Sequence, residues 1–421
     1  MKPTGNGGRM GVFWRWWTAG TTSGLGSAVG AVALPLTALT VLHASAFEMG
    51  LISAAGYLAY LLISLPAGVV VQRLPLRGTQ VGADLTRAVA VTSVPLAWWL
   101  GALTVAQLMA VALVIGFADV LFDVANQTFL PHIVPRAQLQ ARNSLNSGTH
   151  AATQLGGPPL GGVAVQAFGA VPTLLVDAVS YIASAALLRS LPSRRAEPST
   201  GRPPMAELIR QGWHFVVRHP VIGPGMWAAT AVNFVCGAQH ALFPYYLVRE
   251  LHAPPGLVGA LLAADGLGTL IGAVLTTRFT DRFGTARGLV IAGFVGVGGA
   301  FLLPAGSGTT AYLAFGAGTL IFAGAVVVLS VTNRTYRQTA SPPELLSRVI
   351  ATIKFVSWGA IPIGGVVAGA LAGAVGARTT LFLFAAVSVC APVAWLLSPV
   401  RGLRDLPLDV APRRATASTD A

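Results

Sequence analysis

Charge is scarce in this sequence. Asp, Glu, Lys and Arg make up 10% of its 421 residues, against about 25% in a soluble chain, which is too little to cover a surface facing water. Lysine is reduced to Lys2 and Lys354, beside 25 arginines. Cysteine is equally rare: Cys236 and Cys390 each lie inside an apolar run, which argues against a disulfide framework or a zinc site. The seven histidines are scattered, without the clustered His, Asp or Glu that a membrane enzyme needs for metal or acid–base chemistry. No glycine loop ends in Lys-Ser or Lys-Thr to hold nucleotide phosphates, so ATP is not the expected energy source. No cofactor is expected. Extended polar stretches are missing too, so neither a disordered chain nor a large soluble domain fits.

What remains is 54% hydrophobic with a mean hydropathy of +0.69, and a lipid bilayer is the solvent that suits it. Twelve apolar segments can be bracketed, at 17–41, 47–71, 81–104, 106–129, 143–166, 171–190, 221–248, 256–277, 288–304, 310–332, 348–372 and 378–398. Most approach or exceed the roughly 20 residues a spanning helix needs. The first follows a basic start and is followed by Ala44-Ser45-Ala46, but it is longer than the apolar core of a secretory signal and reads as a span. The net charge of +13 is dispersed in short basic clusters between spans, with no aromatic-interleaved face for nucleic acid.

Those clusters alternate. Lys2, Arg9 and Arg15, then Arg73 and Arg77, Arg136 and Arg142, Arg194 to Arg218, Arg278 to Arg287, Arg334 to Arg348, and the tail arginines fall on one side; Arg249 and Arg378 fall on the other. The positive-inside rule then places both termini in the cytoplasm. The expected organisation is a cytoplasmic N-terminus (1–16), a six-helix bundle (17–190), a cytoplasmic linker (191–220), a second bundle (221–398) and a cytoplasmic tail (399–421). Within the linker, Met205, Leu208, Ile209, Trp213 and Val216 recur at helical spacing opposite Glu207, Arg210, Gln211 and His214, the pattern of an amphipathic helix on the membrane face. The arginine, alanine and glycine bias points to a GC-rich bacterial genome, hence a bacterial inner membrane, and a monomer is expected.

The two halves echo one another. Gln72-Arg73 with Arg77 matches Asp281-Arg282 with Arg287; Leu139 with Arg142 matches Leu345 with Arg348; Pro159-Leu160-Gly161-Gly162-Val163 matches Pro362-Ile363-Gly364-Gly365-Val366. The offsets are 209, 206 and 203 residues. Six spans per half is an even number, so the repeats are parallel. The expected fold is an all-α polytopic protein of two six-helix bundles, with a mid-membrane cargo site between them and rocking for alternating access.

Several stretches in order carry a family resemblance: GVVVQRLPLRG at 68–78, DLTRA at 84–88, FLPHIVPRAQLQARNSLNSG at 129–148, GPPLGG at 157–162, TDRFGTAR at 280–287 and SWGAIPIGG at 357–365. From Phe13 to Val400 the chain resembles the major facilitator superfamily, and within it the twelve-span drug–proton antiporter branch that includes macrolide-efflux and enterobactin-exporter proteins. The resemblance implies an exporter of hydrophobic or amphipathic small molecules, such as a drug, antibiotic or secondary metabolite, driven by proton antiport. A siderophore exporter or small-solute importer of the same fold is the alternative, and a membrane enzyme or sensor the rival of another class. The resemblance also implies a cytoplasmic latch of Gln72, Arg73, Arg77 and Asp123 in the first half and Asp281, Arg282 and Arg287 in the second. Gln72 stands where the family has an acid, so the first copy lacks that charge. Gly157, Pro158, Gly161 and Gly162, with Pro362, Gly364 and Gly365, resemble the glycine–proline packing signature of exporters, although plain helix packing accounts for them equally.

Acids within spans cost roughly 2.5–3.5 kcal/mol to insert. Asp119, one turn deeper than Asp123 on the same face of the fourth span, is the first candidate for a proton carrier; a hydrogen-bonded packing role is the alternative. Asp265 in the eighth span is the second, with Lys354 as a possible partner. Asp177 reads as a satisfied structural acid, and Asp84 and Arg87 as a local pair near the cytoplasmic edge. Spans one, four, seven and ten line the cavity in the family, which nominates Ser23, Ser27, Asn233, Gln239, His240 and Phe243 as cargo contacts. Such a lining, mostly apolar with few polar groups, suits an amphipathic molecule.

Overall fold

The computed structural model describes residues 6–134, 139–192 and 205–407, and every extended element among them is a helix. In the first half these are α1 (Asn6–Thr40), α2 (Ala46–Arg73), α3 (Leu76–Trp99), α4 (Val105–Ile133), α5 (Leu139–Phe168) and α6 (Ala170–Arg189). The linker holds α7 (Met205–Arg218). The second half holds α8 (Ile222–Tyr245, continued by a π-turn over Tyr246–Glu250), α9 (Pro255–Phe283), α10 (Thr285–Leu302), α11 (Thr309–Ala340), α12 (Pro343–Val375), and the consecutive pieces α13 (Ala377–Ser388) and α14 (Cys390–Leu396). Most helices overrun the apolar segments that announced them, because helical hydrogen bonding continues past the hydrocarbon edge while hydropathy does not.

Nine helices among the described residues are long and apolar enough to cross a bilayer, and the bent pair ending in α8 makes a tenth. The other two elements packed among them are α3 and α5, of 24 and 30 residues. At about 1.5 Å per residue both exceed a 30 Å hydrocarbon core. Their polarity is turned inward: α3 buries Gln80, Asp84 and Arg87 on its protein-facing side. Counted with these, the helices are consistent with twelve spans.

Local signals set several boundaries. Ser45 begins α2 through a capping box: its backbone N–H donates to Glu48 Oε2 at 2.7 Å, and Glu48 N–H donates to Ser45 Oγ at 3.3 Å. Thr104 Oγ1 accepts from Gln107 N–H at 3.2 Å and starts α4. Gly169 between α5 and α6 and Gly376 between α12 and α13 have φ of +87° and +85°, a conformation that costs other residues strain. They occupy equivalent places in the two halves, so the tight turn is a further repeated feature.

The glycine–proline segments join helices in matching ways. Gly161 in α5 lies against Val29 of α1, as Gly364 in α12 lies against Phe234 of α8. One residue further, Gly162 meets Gly259 of α9, and Gly365 meets Gly237 of α8 and Gly50 of α2. A Cβ on Gly162 would stand 3.0 Å from Gly259 Cα, so this crossing requires glycine. The fifth and eleventh spans thus perform the same double duty, packing within their own half and across to the other. The linker helix α7 meets α8 at a bend of 99°, and it packs on α12 with Val216 fully buried, Gly212 against Arg348 and Thr352, and Gln211 accepting from Arg348.

Candidate functional site

The halves face each other across a cleft. Arg249 donates to Leu39 O at 3.0 Å and lies 3.4 Å from His43 Nδ1, sealing the face opposite the linker. Below it, Gly50 packs on Gly365 and Gly369, and Gly162 on Gly259. At mid-height Tyr57 stacks on His240 with centroids 5.4 Å apart, and Tyr60 meets Trp358 at 5.3 Å. Among the described residues, these side-chain and glycine contacts between halves lie at mid-height or toward that sealed face, and the cleft opens toward the linker.

One wall carries acids around a single arginine. Arg87 of α3, 4% exposed, bonds Asp84 at 2.9 Å and reaches across to Asp119 of α4 at 2.7 Å. Its guanidinium also lies over Phe122 at 4.5 Å and Tyr181 at 5.4 Å, where cation–π attraction holds it. Asp84 is wholly buried and Ser23 Oγ donates to it at 3.5 Å. Asp119 differs from its neighbours in being 37% exposed, and it lies close enough to Tyr57 and Tyr60 to act on them electrostatically, which puts it on the cleft. Asp177 of α6 fits beside Gly26 and Gly30 of α1. Unlike the satisfied acid expected from sequence, it keeps one buried carboxylate oxygen with no partner, as do Asp84 and, on its Nε, Arg87. Asp84 and Arg87 are therefore part of a buried cluster that crosses helices, rather than an isolated pair at the edge.

The opposite wall is built differently. Asp265 of α9 has His240 of α8 as its titratable neighbour, in place of the Lys354 the sequence suggested; Lys354 Nζ sits 4.6 Å over the Trp358 ring. Asn233 donates to Ser357 O at 2.9 Å and lines a cavity of about 540 Å³ between α8, α11 and α12. His240 is exposed to the cleft. The remaining cavity candidates turn away from it. Ser23 faces Asp84, Ser27 shares a 2.9 Å hydrogen bond with Tyr181, Gln239 is buried, and Phe243 packs edge-on against Phe315 at 4.8 Å.

The latch residues are apart. Arg77 donates to Leu191 O at 2.8 Å and so caps the end of α6; Asp123 lies beside Tyr60 in the field of Arg87 and Lys354. Asp281, Arg282 and Arg287 are exposed, and none of them joins an ion pair among the described residues. The side chains of Gln72 and Arg73 lie outside the described residues. Sequence reading passed over Arg87 as a cluster centre and Tyr57 and Tyr60 as cleft residues. Spacing of Arg87 from Asp84 was visible, but its bond to Asp119 depends on how α3 crosses α4.

Two bundles of membrane helices around a cleft closed at one end have the architecture of a membrane transporter. The model for the transmembrane secretion effector family matches residues 8–414, and the chain belongs to that family of major facilitator transporters. It is 28% identical over 385 residues to the multidrug efflux pump Tap of Mycolicibacterium fortuitum, covering 86% of this chain and 89% of that one. It is 26% identical to Tap of Mycobacterium tuberculosis over 92% of each chain. Among solved structures, the nucleoside transporter NupG superposes with a TM-score of 0.78 over 91% of this chain and 99% of its own, at 12% identity. A bacterial homologue of ferroportin gives 0.75 over 92% and 98%, at 16% identity. At such identities the likeness establishes fold alone.

Proposed function

We propose that this protein is a proton-driven exporter of hydrophobic or amphipathic small molecules in a bacterial inner membrane, acting as a monomer with the linker and both termini in the cytoplasm. The arginine-rich connections support that orientation, and the efflux pumps among its relatives support the direction of transport. One observation carries the coupling: four carboxyls, Asp84, Asp119, Asp123 and Asp177, lie around the single guanidinium of Arg87, and Asp119 is the one both bonded to it and open to the cleft.

One cation cannot neutralise all of these acids. A proton on Asp119 breaks its bond to Arg87 and leaves Arg87 to Asp84; loss of that proton restores the bridge between α3 and α4. Cargo enters from the cytoplasm through the open cleft. The opposite state would bring Asp123, Arg77, Asp281, Arg282 and Arg287 together as the cytoplasmic faces close, while the glycine crossings at the far face part. Asp265 beside His240 is a second proton site on the other wall.

Everted vesicles with an imposed pH gradient test this reading with ethidium as the reporter. Gradient-dependent accumulation is expected, with Asp119→Asn abolishing it and Asp119→Glu retaining part. Accumulation that persists after the gradient is collapsed, or that is unchanged in Asp119→Asn at equal protein level, would refute proton coupling through this residue.

A further inference from the structure

The cavity of about 540 Å³ between α8, α11 and α12 has a composition that the proton cluster does not explain. Among the described residues three cations line it, Arg334, Arg337 and Lys354, and no acid does. None of the three joins an ion pair among the described residues. Arg337 spends its Nε on Asn333 O at 3.2 Å, which fixes the side chain and leaves the two terminal nitrogens of the fork for another partner. Lys354 rests over Trp358, a ring attraction that holds an ammonium in place without neutralising it. Arg334 and Arg337, three residues apart on α11, share a face and repel. The rest of the lining is mostly apolar or aromatic, with Asn233, Ser330, Asn333 and Ser357 as its neutral polar members, and it includes Trp358, which also touches Tyr60 of the other half. The cavity therefore meets the cleft at its aromatic end, beside Lys354, and carries Arg334 and Arg337 nearer the linker face.

We propose that this cavity is a binding site for the acidic group of an amphipathic organic anion, a carboxylate or sulfonate attached to an apolar body, and that such anions are a cargo class of the protein. Guanidinium groups bind carboxylate, phosphate and similar oxyanions in bidentate fashion, and the ammonium adds a third charge. The volume falls in the range of small-molecule sites. The apolar body lies toward Trp358 and the cleft. Topology alone places arginines at this face, but it requires neither convergence on one cavity nor the exclusion of every acid from the lining. The cargo role rests on the export reading above, whereas binding does not.

Equilibrium binding to the detergent-solubilised full chain therefore tests it without any gradient. Tritiated taurocholate, a sulfonated amphiphile, is the probe, and tritiated tetraphenylphosphonium, a lipophilic cation, is the control. Saturable taurocholate binding is expected, weakened about tenfold in each of Arg334→Gln, Arg337→Gln and Lys354→Gln, by loss of one charge-assisted contact. Lys354→Arg retains it, and the control is not weakened in any variant. Variants are compared only where their size-exclusion profile matches the parent. Taurocholate binding that is absent, or unaffected by all three neutral substitutions, overturns the proposal. Displacement of taurocholate by phosphatidylglycerol at bilayer proportions, with no gradient-driven taurocholate uptake in vesicles, overturns the cargo assignment in favour of a resident lipid. Failure of ethidium transport with taurocholate binding intact would fault the export reading alone.

Discussion

Arg87→Met isolates the energetics of the acid cluster. Arg87 and Asp84 are 4% and 0% exposed, so the substitution strands a buried carboxylate whose remaining partner is Ser23 Oγ at 3.5 Å. Breaking a buried pair on one side costs about 3–5 kcal/mol. Neutralising an ordinary aspartate at pH 7 costs about 4 kcal/mol, which sets a similar ceiling, since the stranded acid can take a proton instead. The Asp119 bond adds about 0–1 kcal/mol, because that side chain is 37% exposed and screened. Methionine preserves contact with Phe122 and Tyr181, so cavity formation is a minor part of the loss. The expected fall in melting temperature is about 5–10 °C, read from intrinsic fluorescence of the nine tryptophans in detergent. Removing the two acids bonded to Arg87 as well, in the triple variant R87M/D84N/D119N, should recover most of it, because deleting both partners of a buried pair is close to neutral. A single variant melting within about 2 °C of the parent, or a triple variant no more stable than the single, would refute a charge cluster held by Arg87.

His219, between α7 and α8, accepts from the N–H groups of Val221 and Ile222 at 3.2 Å each through Nδ1, and burial lowers its affinity for a proton below the ordinary 6.5. The unfolded chain therefore protonates first, so melting temperature should hold above pH 6.5 and fall as the pH drops below it; His219→Asn, which can still cap, should flatten that dependence, and an equal acid response in both would count against the cap. Gly162→Val forces α5 from Gly259 of α9 at a cost of about 1–3 kcal/mol, and vesicle transport should fall while expression and elution profile persist; full transport would show that this crossing tolerates a side chain. Asp405 accepts from Thr285 N–H at 2.9 Å at the start of α10, so Asp405→Ala should cost about 0.5–2 kcal/mol, seen as faster amide exchange at residues 285–288, and unchanged protection there would refute the tie.

Much of the architecture was legible because the bilayer imposes it. Span number follows from apolar length, and the repeat survives in short glycine and arginine fragments, of which the glycine ones pack alike in both halves. The site was legible only in part. A charge within a span announces itself, so Asp119 and Asp265 stood out. Which cation meets which acid does not, because Arg87 reaches Asp119 through the crossing of α3 on α4, and Asp265 meets His240 through that of α9 on α8. Helical periodicity also fixes a face only relative to its own helix. Ser23 and Ser27 share a face, but that face looks into the bundle toward Asp84 and Tyr181, and Phe243 looks toward Phe315. Low-polarity helices bury residues all round, so period alone cannot tell a cleft wall from a packed interior. The cationic cavity escaped for another reason: its two arginines read as topology until they were found around one space with Lys354.

The division of charge between the walls bears on how such a cleft would work. Arg87 and most of the cleft acids lie on the first half, whereas Arg334, Arg337 and Lys354 lie on the second with Asp265, and Asp123 is in the field of Lys354. Across an open, hydrated cleft a unit pair about 10 Å apart is worth roughly 0.4 kcal/mol, too little to hold the halves together. At about 4 Å, in the intermediate dielectric of a closing interface, the same pair reaches about 4 kcal/mol. The attraction therefore grows as water leaves, favouring closure of the linker face once movement has begun. An anionic cargo seated on the basic wall takes the place of that field during loading, and a proton on Asp119 reduces it from the other side. Cargo and proton would then act on one electrostatic balance from opposite walls, and their coupling requires no direct contact between them.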